Sequence, residues 1–137
     1  MRPVFIDTNA YAAFKRGDPE ILNIIQHAEI LGISPIVLGE LLSGFECGNR
    51  TKKNRDELHQ FLHSSRIRIF SITPDTANFY SQIYSSLKNK GKPIPSNDLW
   101  IAAQVLENGC VLCSYDNHFK VIDGLISGNT LSEIILS

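Results

Sequence analysis

Four acidic residues lie at points in the sequence where a carboxylate is unexpected. Asp7 ends the apolar run of VFIDTN, and Glu40 interrupts the apolar stretch VLGELLSGF. Asp98 and Asp116 follow in SNDLWIAA and SYDNHF. Taken singly, the four have ordinary structural interpretations: a helix cap, a solvent-facing acid, a helix-start acid and a turn former. Brought together they would repel one another, and their full ionisation would require a compensating cation.

The chemistry of such a group follows from its donor atoms. The four acids offer oxygen ligands, with no Cys or His expected beside them, which favours Mg²⁺ or Mn²⁺ over zinc. An ion of this kind can bridge a phosphodiester, lower the pKa of a bound water and neutralise charge on a leaving oxygen. The four acids therefore indicate a metal-assisted reaction if the fold brings them to one place.

The elements that would position these acids alternate between strand and helix. Four segments predict strands: residues 4–6, 32–34, 66–72 and 110–114. Helical patterns begin at Asp18-Pro19, Pro35, Thr51, Pro74-Asp75 and Asn97, and a weaker strand is expected at the C-terminus. This order predicts an α/β fold with a mostly parallel central sheet and helices on both faces. Reacting groups collect at the carboxyl ends of such strands, where Asp7 would lie.

Length and composition favour an ordinary globular protein. The 137 residues predict a single domain, residues 1–137, and the hydrophobic and charged contents are 43% and 20%. No apolar stretch approaches the roughly 20 residues of a membrane span, and the N-terminus does not resemble a secretion signal. We therefore expect a cytoplasmic protein that does not associate with membranes.

The cysteine count does not indicate a disulfide framework. Cys47, Cys110 and Cys113 are an odd number, and the last two lie in a predicted strand, where residues three apart point to opposite faces. Cys110 and Cys113 are therefore predicted to be small core residues rather than zinc ligands.

Two further groups of side chains have structural interpretations. His59 and His63 are four residues apart on a helix but lack the HExxH order, so they are interpreted as a surface pair. Trp100 has the spacing of an apolar helix face. Together with Tyr80 and Tyr84 it is assigned to the core or to a dimer interface.

The net charge of −1 does not indicate a nucleic-acid binder, but the charges are uneven. After residue 95 only Lys120 is basic, against five acids. The basic clusters are Lys15 with Arg16, residues 50–55, Arg66 with Arg68, and residues 88–92. They are interpreted either as solvated helix faces or as a phosphate path beside the acids.

The four motifs together resemble the PIN domain of the VapC toxin type. The resemblance rests on VFIDTN, VLGELLSG, PSNDLWIAA and CSYDNHF, in that order, and spans essentially the whole chain. It implies a metal-dependent endoribonuclease in which Asp7, Glu40, Asp98 and Asp116 hold one or two Mg²⁺ or Mn²⁺ ions. Thr8, Asn9 and Ser114 would support these ligands, with Thr8 capping the first helix.

The resemblance also implies a reaction and partners. Water would attack an RNA phosphodiester, of the tRNA or rRNA class, and leave a 5′ phosphate and a 3′ hydroxyl. The protein would form a homodimer and bind a cognate VapB antitoxin that inserts a segment into the active site.

One departure keeps other functions open. Many PIN domains carry a further acid two residues after the fourth, where this chain has His118, interpreted here as a loop residue rather than a ligand. The alternatives are a catalytically weak PIN-like module that binds RNA or protein, and an RNA-processing nuclease without an antitoxin. A Mg²⁺-dependent signalling domain with a phospho-acceptor Asp would use Ser114 but also needs a Lys after a strand, and none is suitably placed.

Overall fold

The fold is a five-stranded sheet with helices between the strands. The computed structural model describes residues 2–135. Its strands are β1 Val4–Ile6, β2 Leu31–Ile33, β3 Ile67–Ile69, β4 Val111–Cys113 and β5 Ser127–Gly128. Its helices are α1 Thr8–Lys15, α2 Pro19–His27, α3 Pro35–Glu46, α4 Thr51–Leu62, α5 Pro74–Asn89, α6 Ser96–Glu107 and α7 Leu131–Ile135, with a 3-10 helix at Asn117–Val121.

The strand order is β3-β2-β1-β4-β5, and every described pair is parallel. The chain moves from β1 outward to β3 and then returns past β1 to β4 and β5. Because crossovers between parallel strands are right-handed, this reversal places α1 to α4 on one face and α5 and α6 on the other. All residues of β1, β2 and β4 are buried, as expected for strands covered on both faces. The predicted α/β architecture is confirmed.

Local sequence accounts for where the helices begin. Asp18 accepts from the backbone N–H groups of the first turn of α2, and Ser34 does the same for α3. A proline occupies the first turn of α2, α3 and α5, where its missing N–H costs no hydrogen bond. These helix starts agree with the sequence analysis.

The largest differences between the predicted and observed strands are at β3 and at the C-terminus. The strand expected over residues 66–72 is limited to Ile67–Ile69. Just before it, the guanidinium of Arg66 donates to the carbonyls of Ile25 and Ala28, at 2.8 and 2.5 Å, where α2 ends. Just beyond it, the carbonyls of Phe70 and Ser71 accept from the side-chain amide of Gln104 rather than from another strand. The C-terminal strand is the two-residue β5, and the chain then turns into α7, whose start is held by Thr130 bonded to Glu133 at 3.0 Å.

The cysteine pair is part of the core, as predicted. Cys110 and Cys113 are buried and free, whereas Cys47 is exposed. Burial raises the pKa of the Cys110 thiol to about 11 and that of Cys113 to about 12, so both are protonated at neutral pH. No helix within residues 2–135 is long and apolar enough to cross a membrane.

Candidate active site

Asp7 is both a helix cap and a member of the site. It is 5% exposed and follows the last residue of β1. Its Oδ1 accepts from the backbone N–H of Ala10 at 2.8 Å, which caps α1, while its Oδ2 accepts from the hydroxyl of Ser114 beyond β4. The helix-cap interpretation of Asp7 is therefore confirmed. Because a carboxylate has two oxygens, the second one is left to face Ser114 at the end of the neighbouring strand.

The buried position makes ionisation of Asp7 costly. Burial raises the pKa of Asp7 from 3.8 to about 6. Hydrogen bonds from Ser114 and Ala10 oppose this shift. The negative charges of Asp116 and Asp98 add to it. A cation beside these carboxylates would favour the charged form of Asp7.

Glu40 faces the same place from α3. Its Oε1 accepts from the hydroxyl of Thr8 at 2.7 Å, and its Oε2 lies 3.5 Å from the amide nitrogen of Asn97. Glu40 is thus held between α1 and α6 and is only half-exposed, rather than a free surface acid. The structure also corrects the predicted role of Thr8. Asp7 caps α1 and Thr8 is its first residue, so the Thr8 hydroxyl donates to Glu40 instead of capping the helix.

Asp98 and Asp116 meet around His118. The Nδ1 atom of His118 lies 3.1 Å from a carboxylate oxygen of each acid. The candidate ligand atoms of these three residues all lie within 4.8 Å of one another. The expectation that no histidine would lie beside the acids was wrong, since His118 contacts two of them from the 3-10 helix Asn117–Val121. That His118 is not a metal ligand stays a prediction.

The groups of this cluster shift one another's pKa: the pKa of Asp98 and the pKa of His118 are both raised. Burial, and then the negative charge of Asp116, raises the pKa of Asp98 against the opposing hydrogen bond from His118. The hydrogen bond to Asp98 raises the pKa of His118. In the protein alone, a proton on His118 would therefore offset part of the repulsion between the two carboxylates.

One cleft of about 450 Å³ brings the predicted residues together. It is lined by Asp7, Thr8, Asn9, Glu40, Pro95, Ser96, Asn97, Asp98, Ile101, Asp116 and His118. All four acids predicted from the sequence contribute to it. Ser114 lies behind the cleft, where it donates to Asp7 and accepts from the backbone N–H of Asp116 at 2.9 Å.

Five residues that line the cleft were not predicted as site residues: Pro95, Ser96, Asn97, Ile101 and His118. Two of these, Asn97 and His118, contact the predicted acids. Asn97 directly precedes Asp98 in the first turn of α6, a position whose side chain can reach across the strand ends. His118 lies two residues after Asp116, at the position noted as a departure from the family pattern. The sequence shows that both residues lie close to a predicted acid along the chain, but it does not show that their side chains point into the cleft.

The donor set of the cleft fits a divalent cation. Four carboxylates line the cleft, and burial raises the pKa of two of them, Asp7 and Asp98. Carboxylate oxygens suit Mg²⁺ and Mn²⁺, and one imidazole nitrogen adds a softer donor. Of the described residues, Asp98, Asp116 and His118 form the one group of three with metal-ligand spacing.

Two other candidate groups have structural explanations. The rings of His59 and His63 are 4.2 Å apart on an exposed side of α4, and the Nδ1 of His63 bonds to the carbonyl of His59 at 2.8 Å. Trp100 packs against Tyr80, with ring centroids 4.3 Å apart, between α6 and α5. The structure confirms the surface pair and places Trp100 in helix packing away from the cleft.

Only part of the basic surface is available to a ligand. Arg66 donates to the carbonyls of Ile25 and Ala28, and Arg68 donates to those of Ser65 and Ile67. These contacts lie at the amino end of β3, whereas the cleft lies at the carboxyl ends of the parallel strands. Lys52 is paired with Asp56, and Arg55 with Glu46. Arg66 and Arg68 are therefore excluded from a phosphate path to the cleft.

A second groove lies between α1, α3 and α4. It is lined by Tyr11, Ala12, Lys15, Arg16, Leu41, Phe45, Lys53, Asn54 and Glu57. Lys15 is paired with Glu57 at 2.6 Å. Within residues 2–135, Arg16 and Lys53 have no carboxylate within 4 Å, so they are the cations of this groove free to meet an anion.

This sheet order and this acidic cleft define a known class of protein. Residues 4–125 match the PIN domain family, and the chain belongs to it. Within that family it belongs to the VapC type. It is 32% identical over 129 residues to Ribonuclease VapC2 of Rickettsia felis, covering 90% of this chain and 95% of that protein. It is 31% identical over 132 residues to Ribonuclease VapC2 of Haemophilus influenzae, covering 95% and 97%.

Solved structures agree with this assignment. The chain superimposes on VapBC2 of Rickettsia felis, solved bound to a fragment of promoter DNA, with a TM-score of 0.83 and 27% identity. That match covers 93% of this chain and 98% of the other. DNA-bound VapBC of Salmonella typhimurium gives a TM-score of 0.81 with 25% identity and the same coverage.

Proposed function

We propose that this protein is a metal-dependent endoribonuclease toxin. The observation that carries the proposal is the convergence of Asp7, Glu40, Asp98 and Asp116, with His118, on one cleft at the carboxyl edge of the sheet. Membership of the VapC type and relatives named as ribonucleases support RNA as the substrate. The tRNA or rRNA class follows from the family resemblance.

In this proposal Asp7, Glu40, Asp98 and Asp116 hold one or two Mg²⁺ or Mn²⁺ ions. When bound, the metal would supply charge stabilisation and a water of lowered pKa for hydrolysis of a phosphodiester to a 5′ phosphate and a 3′ hydroxyl. The chain's own groups orient the ligands: Ser114 holds Asp7, and Thr8 holds Glu40. Asn9 is exposed on the cleft, where its amide can donate to a phosphate oxygen.

The RNA strand would continue from the cleft into the groove of Lys15, Arg16 and Lys53. Such a path is supported by α1, which contributes Thr8 to the cleft and, one turn later, Tyr11 to the groove. Its unpaired cations are suited to contact backbone phosphates, which fix a strand's position without reading its sequence.

The partners follow from the same family. Two of the solved neighbours are VapBC complexes, which supports a cognate VapB-type antitoxin. We propose that a segment of this antitoxin inserts into the cleft. We also propose a homodimer and a cytoplasmic location, with the protein folded as one domain. The exposed Tyr84 on α5, beside the apolar surface of Pro93 and Ile94, is a surface that a second copy would cover.

Cleavage of total cellular RNA tests the function. Purified protein would be incubated with Mg²⁺ or Mn²⁺, with EDTA, or as the Asp98→Asn variant, and the new RNA ends mapped. We expect discrete metal-dependent cuts with 5′ phosphates, absent from the variant. Folded, antitoxin-free protein that cuts nothing with either metal would favour the binding module instead.

The signalling alternative lacks support from the cleft. A phospho-acceptor site requires a Lys beside the acceptor carboxylate, and the described residues that line this cleft include no Lys. Covalent labelling by acetyl phosphate would be expected only for that alternative, so its absence is a second prediction of the nuclease.

A further inference from the structure

The caps of α1 and α2 share one arrangement. In each cap, Oδ1 of an aspartate accepts from backbone N–H groups of the first turn: Asp7 from Ala10, and Asp18 from Glu20 at 3.0 Å. In each, Oδ2 accepts from a side-chain hydroxyl of the segment that follows β4. Asp7 accepts from Ser114, and Asp18 accepts from Tyr115 at 2.6 Å.

The segment held in this way carries the metal-ligand candidates. Asp116 directly follows Tyr115, its backbone N–H donates to Ser114, and its Oδ1 accepts from the backbone N–H of His118 at 2.9 Å. The two hydroxyl contacts therefore fasten consecutive residues to two different helices just before Asp116. Loss of one contact would leave the segment fastened to a single helix.

Tyr115 and Asp18 do not themselves line the cleft. Tyr115 is 39% exposed, and its hydroxyl points to the start of α2 rather than to the acids. The acceptor is a carboxylate, and hydrogen bonds to a charged group are stronger than neutral ones. Because Tyr115 and Asp18 do not line the cleft, we expect them to affect the site by fixing the positions of Asp116 and His118.

We propose that Tyr115 and Asp18 are positioning residues that hold Asp116 and His118 in the arrangement that binds the divalent cation. The inference rests on the proposed function, since it assigns a role toward the metal of that nuclease. It predicts that the Tyr115–Asp18 contact affects metal affinity more than it affects the stability of the fold.

Two variants distinguish the effect of losing the Tyr115–Asp18 hydrogen bond from the effect of losing the cap of α2. Tyr115→Phe removes the hydroxyl and keeps the ring. Asp18→Ser keeps a cap oxygen for α2, because serine is a good N-cap residue, but withdraws the oxygen that Tyr115 reaches. Tyr80→Phe, at a tyrosine of α5 that packs against Trp100 and does not line the cleft, is the matched control for loss of a tyrosine hydroxyl.

The experiment measures Mn²⁺ binding directly, from the electron paramagnetic resonance signal of free Mn²⁺, beside the metal-free melting temperature. RNA cleavage is then followed over a series of Mn²⁺ concentrations. We expect the Mn²⁺ Kd to rise about tenfold in Tyr115→Phe and in Asp18→Ser, the lower end of the range for residues that support a ligand. The double variant should be no weaker than either single one, and the control should match wild type.

Excess Mn²⁺ should restore kcat in Tyr115→Phe, whose metal-free melting temperature should stay near that of wild type. An unchanged Mn²⁺ Kd in Tyr115→Phe would overturn the inference, and if KM for RNA rises at the same time, Tyr115 contacts substrate instead. Wild-type protein that binds Mn²⁺ without cutting RNA would contradict the proposed function while the binding series still decides the inference. Wild-type protein that does not bind Mn²⁺ would overturn both.

Discussion

Ser114 donates its hydroxyl to Asp7, joining residues 107 positions apart at the ends of the neighbouring strands β4 and β1. The same hydroxyl accepts from the backbone of Asp116. One serine thus connects two of the four acids, and the parallel pairing of β1 with β4 is what brings it there. The site therefore depends on strand order as much as on the acids themselves.

The pH dependence of stability should report the burial of Asp7. Its pKa is about 6 in the folded protein against 3.8 for an unperturbed carboxyl, so the folded state holds a proton that the unfolded state releases between these values. Protonation of Asp7 therefore contributes roughly 3 kcal/mol to the free energy of unfolding. This contribution is fully present below about pH 4 and is lost as pH rises through about 6.

Asp7→Asn is the comparison for this prediction, because asparagine caps α1 equally well and does not titrate. Urea unfolding in EDTA would give the free energy of unfolding of both proteins from pH 4 to 7.5. We expect wild type to lose stability relative to Asp7→Asn as pH rises, with a constant difference above about pH 7. Parallel curves across the whole range would show that Asp7 is not desolvated.

Thr8→Val should impair the site without unfolding the helix. The variant loses the hydrogen bond to Glu40 but leaves the Asp7 cap in place. We expect RNA cleavage to fall about tenfold or more, as for other residues that orient a ligand, with little change in melting temperature. Thr8→Ser retains the hydroxyl and should keep most of the activity. Equal losses in both variants would point to the methyl group and packing instead.

Lys53 should contribute to RNA binding, whereas its neighbour Lys52 should not. Lys53 lines the groove beside the cleft and Lys52 is paired with Asp56 at 2.9 Å, so Lys53→Gln and Lys52→Gln make the same charge change in two settings. We expect Lys53→Gln alone to weaken binding of a single-stranded RNA and to reduce the slope of log K against log salt by about 0.7. Fluorescence anisotropy over a salt series measures both quantities, and identical slopes for the two variants would remove the groove from the RNA path.

His118→Asp should shift the metal preference toward Mg²⁺. The substitution replaces an imidazole nitrogen beside Asp98 and Asp116 with a carboxylate oxygen, the donor that Mg²⁺ prefers. The ratio of cleavage rates in Mg²⁺ and Mn²⁺ should rise about threefold or more relative to wild type, a change of under 1 kcal/mol. His118→Asn tests whether loss of the ring alone has this effect, and an unchanged ratio in His118→Asp would place His118 outside the metal's reach.

Much of the fold was predictable from local signals. Proline after Asp18 and after Ser34, and the apolar runs before Asp7 and Ser114, indicated element starts and strand ends because their causes act within a few residues. The boundary of β3 was not predictable in this way. Beyond β3 the carbonyls of Phe70 and Ser71 accept from the side-chain amide of Gln104, which lies 34 and 33 positions later in the chain, so no local pattern contains this contact.

The sequence by itself determined the residue types of the site and their positions at strand ends and helix starts. Only the tertiary structure decided which hydrogen bonds their side chains make. Asp7 caps α1 with one oxygen and accepts from Ser114 with the other, and Thr8 donates to Glu40. His118 lies within hydrogen-bond distance of both Asp98 and Asp116. Hydrophobic periodicity specifies which face of an element is buried, since that depends on spacing along one segment. The hydrogen-bond partners of a side chain lie on other elements, which come together only when the strands assemble into the sheet. No pattern within a single segment therefore encodes them.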